Sequence, residues 1–190
     1  MFKYIFYGVF FTVFVSLSIM TMASLASDID IHGKLPIKAT YNDLSKDAKK
    51  QVACLAENIY FEAAHEPYKG KKAVAFVTIN RLQSGNYAND ICGVVYQKTG
   101  GTCQFSWYCD NTVTSKRLTI KHTQLYNEIL QLATYVFLNF DILEDVTKGA
   151  TYYHAVYVNP QWRLQKVHQI GNHIFYRSRK DHIDRGKSII

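Results

Sequence analysis

Residues 56–67 read AENIYFEAAHEP and continue a helical pattern that begins near Ser45, a residue suited to cap the N-terminus of a helix. Pro67 and Gly70 mark a break in that pattern. The sequence therefore predicts a helix from Ser45 to about Ala64, with its apolar residues at helical spacing on one face. That apolar stripe consists of Val52, Leu55, Ile59 and Ala63.

Glu62 lies three residues after Ile59 and seven after Leu55, so on a helix it shares the apolar face, close to the helix end. A carboxyl group in that position loses hydration, which raises its pKa, and a general acid needs a raised pKa near neutral pH. The alternative is an ordinary surface glutamate in an i,i+4 pair. Glu66 shares the face and is either a second carboxyl of the site or a residue that fixes the following loop.

The rest of the chain offers two further helices and several short segments. Apolar spacing predicts the helices at about 71–82 and at 122–140. Short apolar, aromatic or β-branched segments occur at 91–96, 150–158 and 170–177, and the last two are expected to be extended or, for 150–158, a loop. Three helices with a few short extended segments predict a predominantly helical α+β domain.

A polar loop carries the second candidate site, in which polar and aromatic residues alternate from Cys103 to Trp107. Such a loop can present amides, hydroxyls and ring faces to sugars, which makes Gln104, Phe105, Ser106 and Trp107 candidate substrate-binding residues. The alternative is an ordinary loop pinned by a disulfide, with Phe105 as its contribution to the core.

A third candidate lies at 152–162, where Tyr153 and His154 occur among other aromatic residues. His154 is a candidate base, metal ligand or substrate contact, although a lone histidine among aromatic residues is more often packed and hydrogen-bonded. A nucleophilic pair of Cys103 and His154 is a further alternative, which oxidation of the cysteine would remove. The sequence contains no HExxH motif, and no metal or other cofactor is expected.

The first 26 residues have the pattern of an export signal. Lys3 is followed by an uncharged run from Tyr4 to Ala26, and Ser24 and Ala26 are small residues where a signal peptidase would cleave. The run is also long enough to be retained as a membrane anchor. With either device the protein is expected to be exported, to the periplasm or the cell envelope.

Four cysteines, an even number in an exported chain, indicate two disulfides without fixing which of three connectivities they adopt. Cys92, Cys103 and Cys109 are close in sequence, so one bridge is expected to pin that loop. A zinc site is the rival interpretation, but Cys54 and the other three form no CxxC pair.

Composition narrows the class of partner. The chain of 190 residues has a net charge of +7 and is 14% aromatic, which excludes a disordered chain. A basic exported protein suits a polyanionic partner such as a bacterial envelope, although solubility alone would also explain the charge. Lysine and arginine are scattered, with no basic helix or RNA-binding aromatic motif, so no nucleic acid is expected.

Several blocks of the sequence, in order, resemble the SleB/CwlJ-like cell wall hydrolases of the spore-cortex-lytic type. The resemblance spans about 52–177, and it departs at Ala64-His65, where the family usually has Arg-Gly. The blocks lie at 56–67, 70–75, 80–81, 91–97, 103–107, 149–162 and 170–176.

This resemblance implies a single lysozyme-like domain of the lytic transglycosylase type that acts on peptidoglycan. Glu62 stands at the family's catalytic glutamate, and the implied substrate-binding residues are Glu66, Gln104, Phe105, Ser106, Trp107, Tyr153 and His154. The bond cleaved would join N-acetylmuramic acid to N-acetylglucosamine, with an anhydro product favoured over hydrolysis. A monomer is expected, with membrane contact only through the N-terminal segment. The expected organisation is leader 1–26, linker 27–44, catalytic domain 45–180 and polar tail 181–190.

Two other functions remain open at this stage. One is an amidase or peptidase that cuts the stem peptide with zinc or with cysteine and histidine, using His154 and His173. The other is a glycan-binding module without catalysis. The source is equally open, because a bacterial wall-remodelling enzyme and a phage endolysin would both fit.

Overall fold

The computed structural model describes residues 36–184, 186 and 189, apart from the side chain of Thr114. The chain divides into two compact units, Met1–Ile37 and Lys38–Ile190, and every helix and strand given below belongs to the second. The expected leader at 1–26 and the linker as far as residue 35 lie outside the described residues. Within the described part, no helix is long and apolar enough to cross a bilayer.

Helix α1 spans Lys46–Ala63 and confirms the first predicted helix. The Ser45 side chain accepts a 3.2 Å hydrogen bond from the backbone N–H of Ala48, which satisfies one of the otherwise unpaired donors at the helix start. The whole apolar stripe is buried in the core. Glu62 is therefore carried near the end of a helix that packing holds firmly in place.

Helix α2 spans Tyr68–Ser84 and begins earlier than predicted, because the expected break between the helices ends at Pro67, its N-cap, and does not extend to Gly70. Gly70 lies inside the helix, where an added Cβ would stand 2.9 Å from the Cβ of Glu66. The glycine thus permits the first turn of α2 to pack closely against Glu66, in the turn that follows α1. The helix ends at Gly85, whose φ of +70° suits glycine.

Short elements connect α2 to the last long helix. The apolar segment at 91–96 is helical, with the Asp90 side chain as its N-cap. A hairpin turns at Gly100-Gly101, where positive φ values of 57° and 84° match the twist of a tight hairpin. In chain order the elements are α3 (Ile91–Val95), β1 (Lys98–Thr99), β2 (Thr102–Cys103), a 3-10 turn (Ser106–Cys109), α4 (Asn111–Thr114) and α5 (Arg117–Ile120).

Helix α6 spans Gln124–Asn139 and confirms the third predicted helix. The Thr123 side chain caps it by accepting from the backbone N–H of Tyr126 at 3.1 Å. Helix α6 packs against α1 and α2. Its buried face completes the main core with Ile129, Leu132, Ala133, Val136 and Phe137.

A three-stranded antiparallel sheet follows, formed by β3 (Tyr152–Ala155), β4 (Gln165–Ile170) and β5 (His173–Arg177) in the order β3-β5-β4. The segment expected to be extended from 170 to 177 contains a tight turn at Gly171, where φ is +57°. A second small core joins the sheet to α2 through Ala73, Val77, Ala150, Ile170 and Phe175. The fold is predominantly helical α+β, as predicted.

Two disulfides are present, as expected, and their pairing is now fixed. Cys54–Cys92 joins α1 to α3, and Cys103–Cys109 closes a short loop. Cysteine ligation of zinc and the Cys103–His154 nucleophilic pair were therefore wrong, because every cysteine is bonded to another.

The chain end also packs onto the domain. Asp181, placed in the polar tail by the sequence, accepts hydrogen bonds from the hydroxyl of Thr151 and from the Asn86 side-chain amide. Ile189 is buried in the main core. Ordered packing thus continues beyond residue 180.

Candidate active site

Glu62 lies one residue before the end of α1, is half-buried, and lines a groove on the surface. The hydroxyl of Tyr153, on β3, donates a 2.8 Å hydrogen bond to its Oε2. Helix α1 and the sheet thus meet at this carboxyl group. Glu62 and Tyr153, both candidates from the sequence, are brought into direct contact.

Burial raises the pKa of Glu62, while the hydrogen bond from Tyr153 and the positive charge of Arg81 act in the opposite direction. The same burial raises the pKa of Tyr153 well above its usual value. Tyr153 therefore remains a neutral phenol that can donate, and Glu62 holds its proton to a higher pH than an exposed glutamate. A carboxyl group with a raised pKa is suited to general acid catalysis.

Arg81 is a buried cation close to Glu62. It is not among the site residues predicted from the sequence. Its Nε donates to the carbonyl oxygen of Thr151 at 2.8 Å, and its guanidinium group lies over the ring of Phe105, 4.6 Å from the centroid. Arg81 occurs in one of the sequence blocks, but nothing in its spacing indicated that it would face the carboxyl group.

Two cavities meet at Glu62. The hairpin-side cavity, of about 350 Å³, is lined by Glu62, Arg81, Thr99, Thr102–Ser106, Tyr152, Tyr153 and Trp162. The helix-side cavity, of about 410 Å³, is lined by Tyr60–Glu66, Trp107, Val113, Lys116 and Ile120. Among the described residues, Glu62 alone lines both cavities, so a chain-like ligand lying in the groove would cross the carboxyl group.

A third cavity extends the groove beyond the hairpin. It has a volume of about 420 Å³ and shares Thr99, Gln104 and Tyr152 with the hairpin-side cavity. Its lining is polar and includes amides, hydroxyls, Lys180 and Asp181. The groove therefore continues from the helix-side cavity past Glu62 into two further cavities.

The loop 103–107 divides into exposed and buried residues. Gln104 and Ser106, the polar candidates of this loop, line the hairpin-side cavity. Phe105 and Trp107 are buried in the core. Trp107 stacks on Phe61 and donates from Nε1 to Asn58 at 2.9 Å. The contacts of these two rings favour the alternative in which they anchor the loop.

Glu66 is held by the turn between β4 and β5. The backbone N–H and the side-chain amide of Asn172 donate to its two carboxylate oxygens, each at 3.0 Å. A Cβ at Gly171 would stand only 1.9 Å from its Oε2, so glycine is required there. Of the two roles considered for Glu66, these contacts favour fixing the loop over binding substrate.

Both ring nitrogens of His154 are hydrogen-bonded to neighbouring groups. Its Nδ1 lies 2.9 Å from the carbonyl oxygen of Ala155, and its Nε2 lies 3.0 Å from the hydroxyl of Tyr176. Because a carbonyl only accepts, the proton of the neutral ring lies on Nδ1 and Nε2 accepts from Tyr176. His154 touches Trp162 but does not line either cavity at Glu62, so a direct role with substrate is not favoured.

A hydrolase would use a second carboxylate beside Glu62, and two further candidates, Asp90 and Asp110, cap backbone groups instead. Asp90 accepts from the N–H of Gly93, and Asp110 accepts from the N–H of Thr112. Among the described residues, no group of three or more His, Cys, Asp or Glu side chains is arranged to hold a metal ion. A zinc peptidase therefore finds no donor set in the described part of the chain.

The buried Glu57 is the centre of an ion network that the sequence pattern did not predict. Glu57, on α1, accepts from the hydroxyl of Tyr96 at 2.7 Å and from Nε of Arg117 at 2.9 Å, and it pairs with Lys121 at 3.0 Å. Arg117 is the first residue of α5. Lys116, which precedes it, and Ile120, at the end of the same helix, line the helix-side cavity. The network holds that wall of the groove against α1.

Residues 65–176, more than half of the 190-residue chain, match the Cell Wall Hydrolase family. The chain belongs to this family. Glu62 lies just before the matched range, so its role rests on its geometry. The family resemblance stated from the sequence blocks is confirmed.

Curated relatives of this cell wall hydrolase include two spore cortex-lytic enzymes. That of Halalkalibacterium halodurans is 27% identical over 73% of this chain and 36% of its own length. That of Bacillus subtilis is 27% identical over 67% of this chain and 38% of its own length. The chain thus spans little more than a third of the length of these relatives.

A solved structure shares the fold. The catalytic domain of the germination-specific lytic transglycosylase SleB from Bacillus anthracis is 24% identical, with a TM-score of 0.50. The likeness covers 72% of this chain and 98% of that domain. The predominantly helical α+β fold expected from the sequence is the fold that this chain shares with that catalytic domain.

Proposed function

We propose that this protein degrades peptidoglycan by cleaving the glycosidic bond between N-acetylmuramic acid and N-acetylglucosamine, as a lytic transglycosylase. Glu62 is its single acid/base residue. The domain that carries the activity corresponds to about 45–180, with the chain end packed onto it. Membership of the Cell Wall Hydrolase family and the fold shared with a lytic transglycosylase domain support the class of reaction.

The observation that carries the proposal is the position of Glu62 between two cavities with a phenol bonded to its carboxyl group. A glycan strand that fills both cavities places a glycosidic bond over this carboxyl group. Tyr153 occupies Oε2, which leaves Oε1 to carry the proton toward the groove. Oε1 thus both faces the bond to be cleaved and carries the proton, as a general acid requires.

In the first step, Glu62 donates its proton to the glycosidic oxygen as the bond to C1 of the muramic acid breaks. The N-acetylglucosamine end leaves with a new hydroxyl group, and C1 becomes oxocarbenium-like. The carboxylate formed on Glu62 is stabilised by the hydrogen bond from Tyr153 and by the nearby charge of Arg81. These two groups favour the charged form that appears only after proton transfer.

In the second step, the 6-hydroxyl of the same muramic acid attacks C1 and gives its proton to Glu62. A 1,6-anhydro ring forms and the acid is regenerated, with no water consumed. A hydrolase would use a second carboxylate. Among the described residues, Glu62 is the only carboxylate that lines the hairpin-side cavity, and Glu66, which lines the helix-side cavity, is bonded to Asn172. This supports an internal nucleophile.

Location and assembly form part of the same proposal. Two disulfides suit an oxidising compartment outside the cytoplasm, which agrees with export to the envelope. We place the protein there as a monomer, with any membrane contact made by the N-terminal apolar segment. Size-exclusion chromatography with light scattering of the chain without residues 1–26 tests the monomer, and co-sedimentation of the chain with and without residues 1–26 with lipid vesicles tests the membrane contact.

The products distinguish the two outcomes of bond cleavage. Purified peptidoglycan is digested in heavy-oxygen water and the soluble fragments are weighed by mass spectrometry. The proposal predicts anhydro-muropeptides without heavy oxygen. Reducing ends that carry heavy oxygen would mean hydrolysis, and cleaved stem peptides with intact glycan would mean an amidase or peptidase.

A further inference from the structure

The segment between β3 and β4 exposes several large apolar side chains. Val156, Tyr157, Val158 and Trp162 are all more than a third exposed, and Tyr157 reaches 87%. Trp162 differs from the other three because it lines the hairpin-side cavity together with Glu62. Its ring is 43% exposed although it belongs to the groove.

The Trp162 ring is held in place by three other rings. Tyr152, His154 and Tyr176 meet it in steep, edge-type contacts, with centroids at 5.9, 5.5 and 5.8 Å. His154 also stacks on Tyr176 and is hydrogen-bonded to it. An exposed indole would ordinarily sample several rotamers, so this support fixes its orientation before any ligand arrives.

A fixed, half-exposed indole beside a polar cavity is suited to one class of ligand. The face of an aromatic ring is electron-rich and attracts weakly positive C–H groups. A β-linked amino sugar presents such C–H groups on one face of its pyranose ring and hydroxyl and amide groups around its edge. Gln104, Ser106 and Thr99 provide polar partners for that edge in the same cavity.

We propose that Trp162 is the stacking platform for a sugar ring bound in the hairpin-side cavity, next to the bond that is cleaved. His154 and Tyr176 are positioning residues that hold the platform. The inference rests on the proposed function and deepens it, since it assigns one subsite to a named side chain. It also gives His154 a role that acts through Trp162 rather than through substrate.

The first test measures binding without turnover. The Glu62→Gln variant is titrated with the β-1,4-linked tetramer of N-acetylglucosamine and followed by tryptophan fluorescence and calorimetry. The chain has two tryptophans, and Trp107 lines the helix-side cavity, so a saturable change in emission is assigned to Trp162 by its loss when Trp162→Phe is added. Adding Trp162→Ala should weaken calorimetric binding about five- to tenfold, and adding Trp162→Phe should weaken it less.

Tyr157→Ala is the matched control, because Tyr157 is an exposed aromatic residue of the same segment and does not line the cavity. It should bind the tetramer like its parent. His154→Ala should weaken binding less than Trp162→Ala does. Because the indole would then sample several orientations, the quenching of Trp162 fluorescence by acrylamide should become heterogeneous. Circular dichroism confirms that each variant is folded.

The inference is overturned if Trp162→Ala binds the tetramer as tightly as its parent, or if Tyr157→Ala loses as much affinity. The absence of any saturable binding by the Glu62→Gln parent would also overturn it. None of these results touches the proposed function, which is decided by the products that the wild-type protein releases from peptidoglycan.

Discussion

The hydroxyl of Tyr153 donates to Oε2 of Glu62 across a separation of 91 residues. The bond ties the end of α1 to the first strand of the sheet at the point where the two cavities meet. This hydrogen bond and the burial of the carboxyl group have opposite effects on the ionisation of Glu62. The bond stabilises the charged form after proton transfer, and burial stabilises the protonated form that must exist before it.

Replacing Tyr153 by phenylalanine should change the pH dependence of catalysis. Loss of the hydrogen bond removes an influence that lowers the pKa of Glu62, so the pKa should rise further. The alkaline limb of the kcat profile should therefore move to higher pH. The maximal rate should fall at least about tenfold, because a hydrogen bond to a charged group contributes about 1.5–3 kcal/mol. Initial rates from about pH 4 to about pH 9 measure both effects.

Tyr68→Phe is a suitable control, because Tyr68 is an exposed tyrosine that lines a separate cavity with residues of α6. Its profile should match that of the wild type. An alkaline limb that stays in place or moves to lower pH in Tyr153→Phe would contradict the conclusion that the Tyr153 hydrogen bond lowers the pKa of Glu62.

Glu62 should also make stability depend on pH. Its pKa is raised in the folded protein from an ordinary value of 4.5, so above that value the folded state holds more protons than the unfolded state. Stability is then lost as pH rises through the folded pKa. Glutamine does not titrate, so the Tm of Glu62→Gln relative to wild type should increase from about pH 4 to about pH 8.

Thermal unfolding at closely spaced pH values measures this difference. Glu128→Gln is the control, since Glu128 is an exposed glutamate on α6. It should follow the wild type. A Tm difference for Glu62→Gln that is constant, or that shrinks as pH rises, would contradict a raised pKa at Glu62.

The two disulfides should contribute differently. Cys54–Cys92 spans 38 residues and Cys103–Cys109 spans 6. Loop entropy gives the longer bridge about 4 kcal/mol and the shorter about 2 kcal/mol. Cys54→Ala with Cys92→Ala should therefore cost more stability in urea unfolding. The pair Cys103→Ala and Cys109→Ala should cost less stability and more activity, because this loop carries Gln104 and Ser106 into the groove.

Four free thiols in the purified protein by mass spectrometry would contradict both bridges. Equal loss of activity from the two paired variants, at a temperature where each is fully folded, would contradict the specific link between the shorter bridge and the groove.

The sequence predicted the features that depend on local spacing. The stripe of α1 placed Glu62 on the buried face, and the Ser45 cap fixed the start of that helix. Helix α2 was predicted too short because Gly70 resembles a helix break, whereas it permits contact with Glu66. Strand β4 was missed because most of its side chains are exposed, so no alternation marks it.

Long-range pairings were beyond the sequence pattern. Nothing in the spacing indicates that Tyr153 is hydrogen-bonded to Glu62 or that Arg81 lies beside that carboxyl group. The hydrogen bond from Asn172 to Glu66 is equally absent from the pattern. Phe105 and Trp107 had two interpretations of equal weight, because an aromatic residue in a loop serves a core or a groove equally well by pattern. Burial, which depends on the rest of the fold, separates the two.

The most direct measurement compares wild type, Glu62→Gln and Glu128→Gln on purified peptidoglycan, with soluble products identified by mass spectrometry. Circular dichroism establishes that all three are folded. Wild type and Glu128→Gln should release anhydro-muropeptides at similar rates, and Glu62→Gln should be slower by about a hundredfold or more, because it has no proton to donate. Equal release of anhydro-muropeptides by Glu62→Gln would contradict its assignment as the catalytic acid and base.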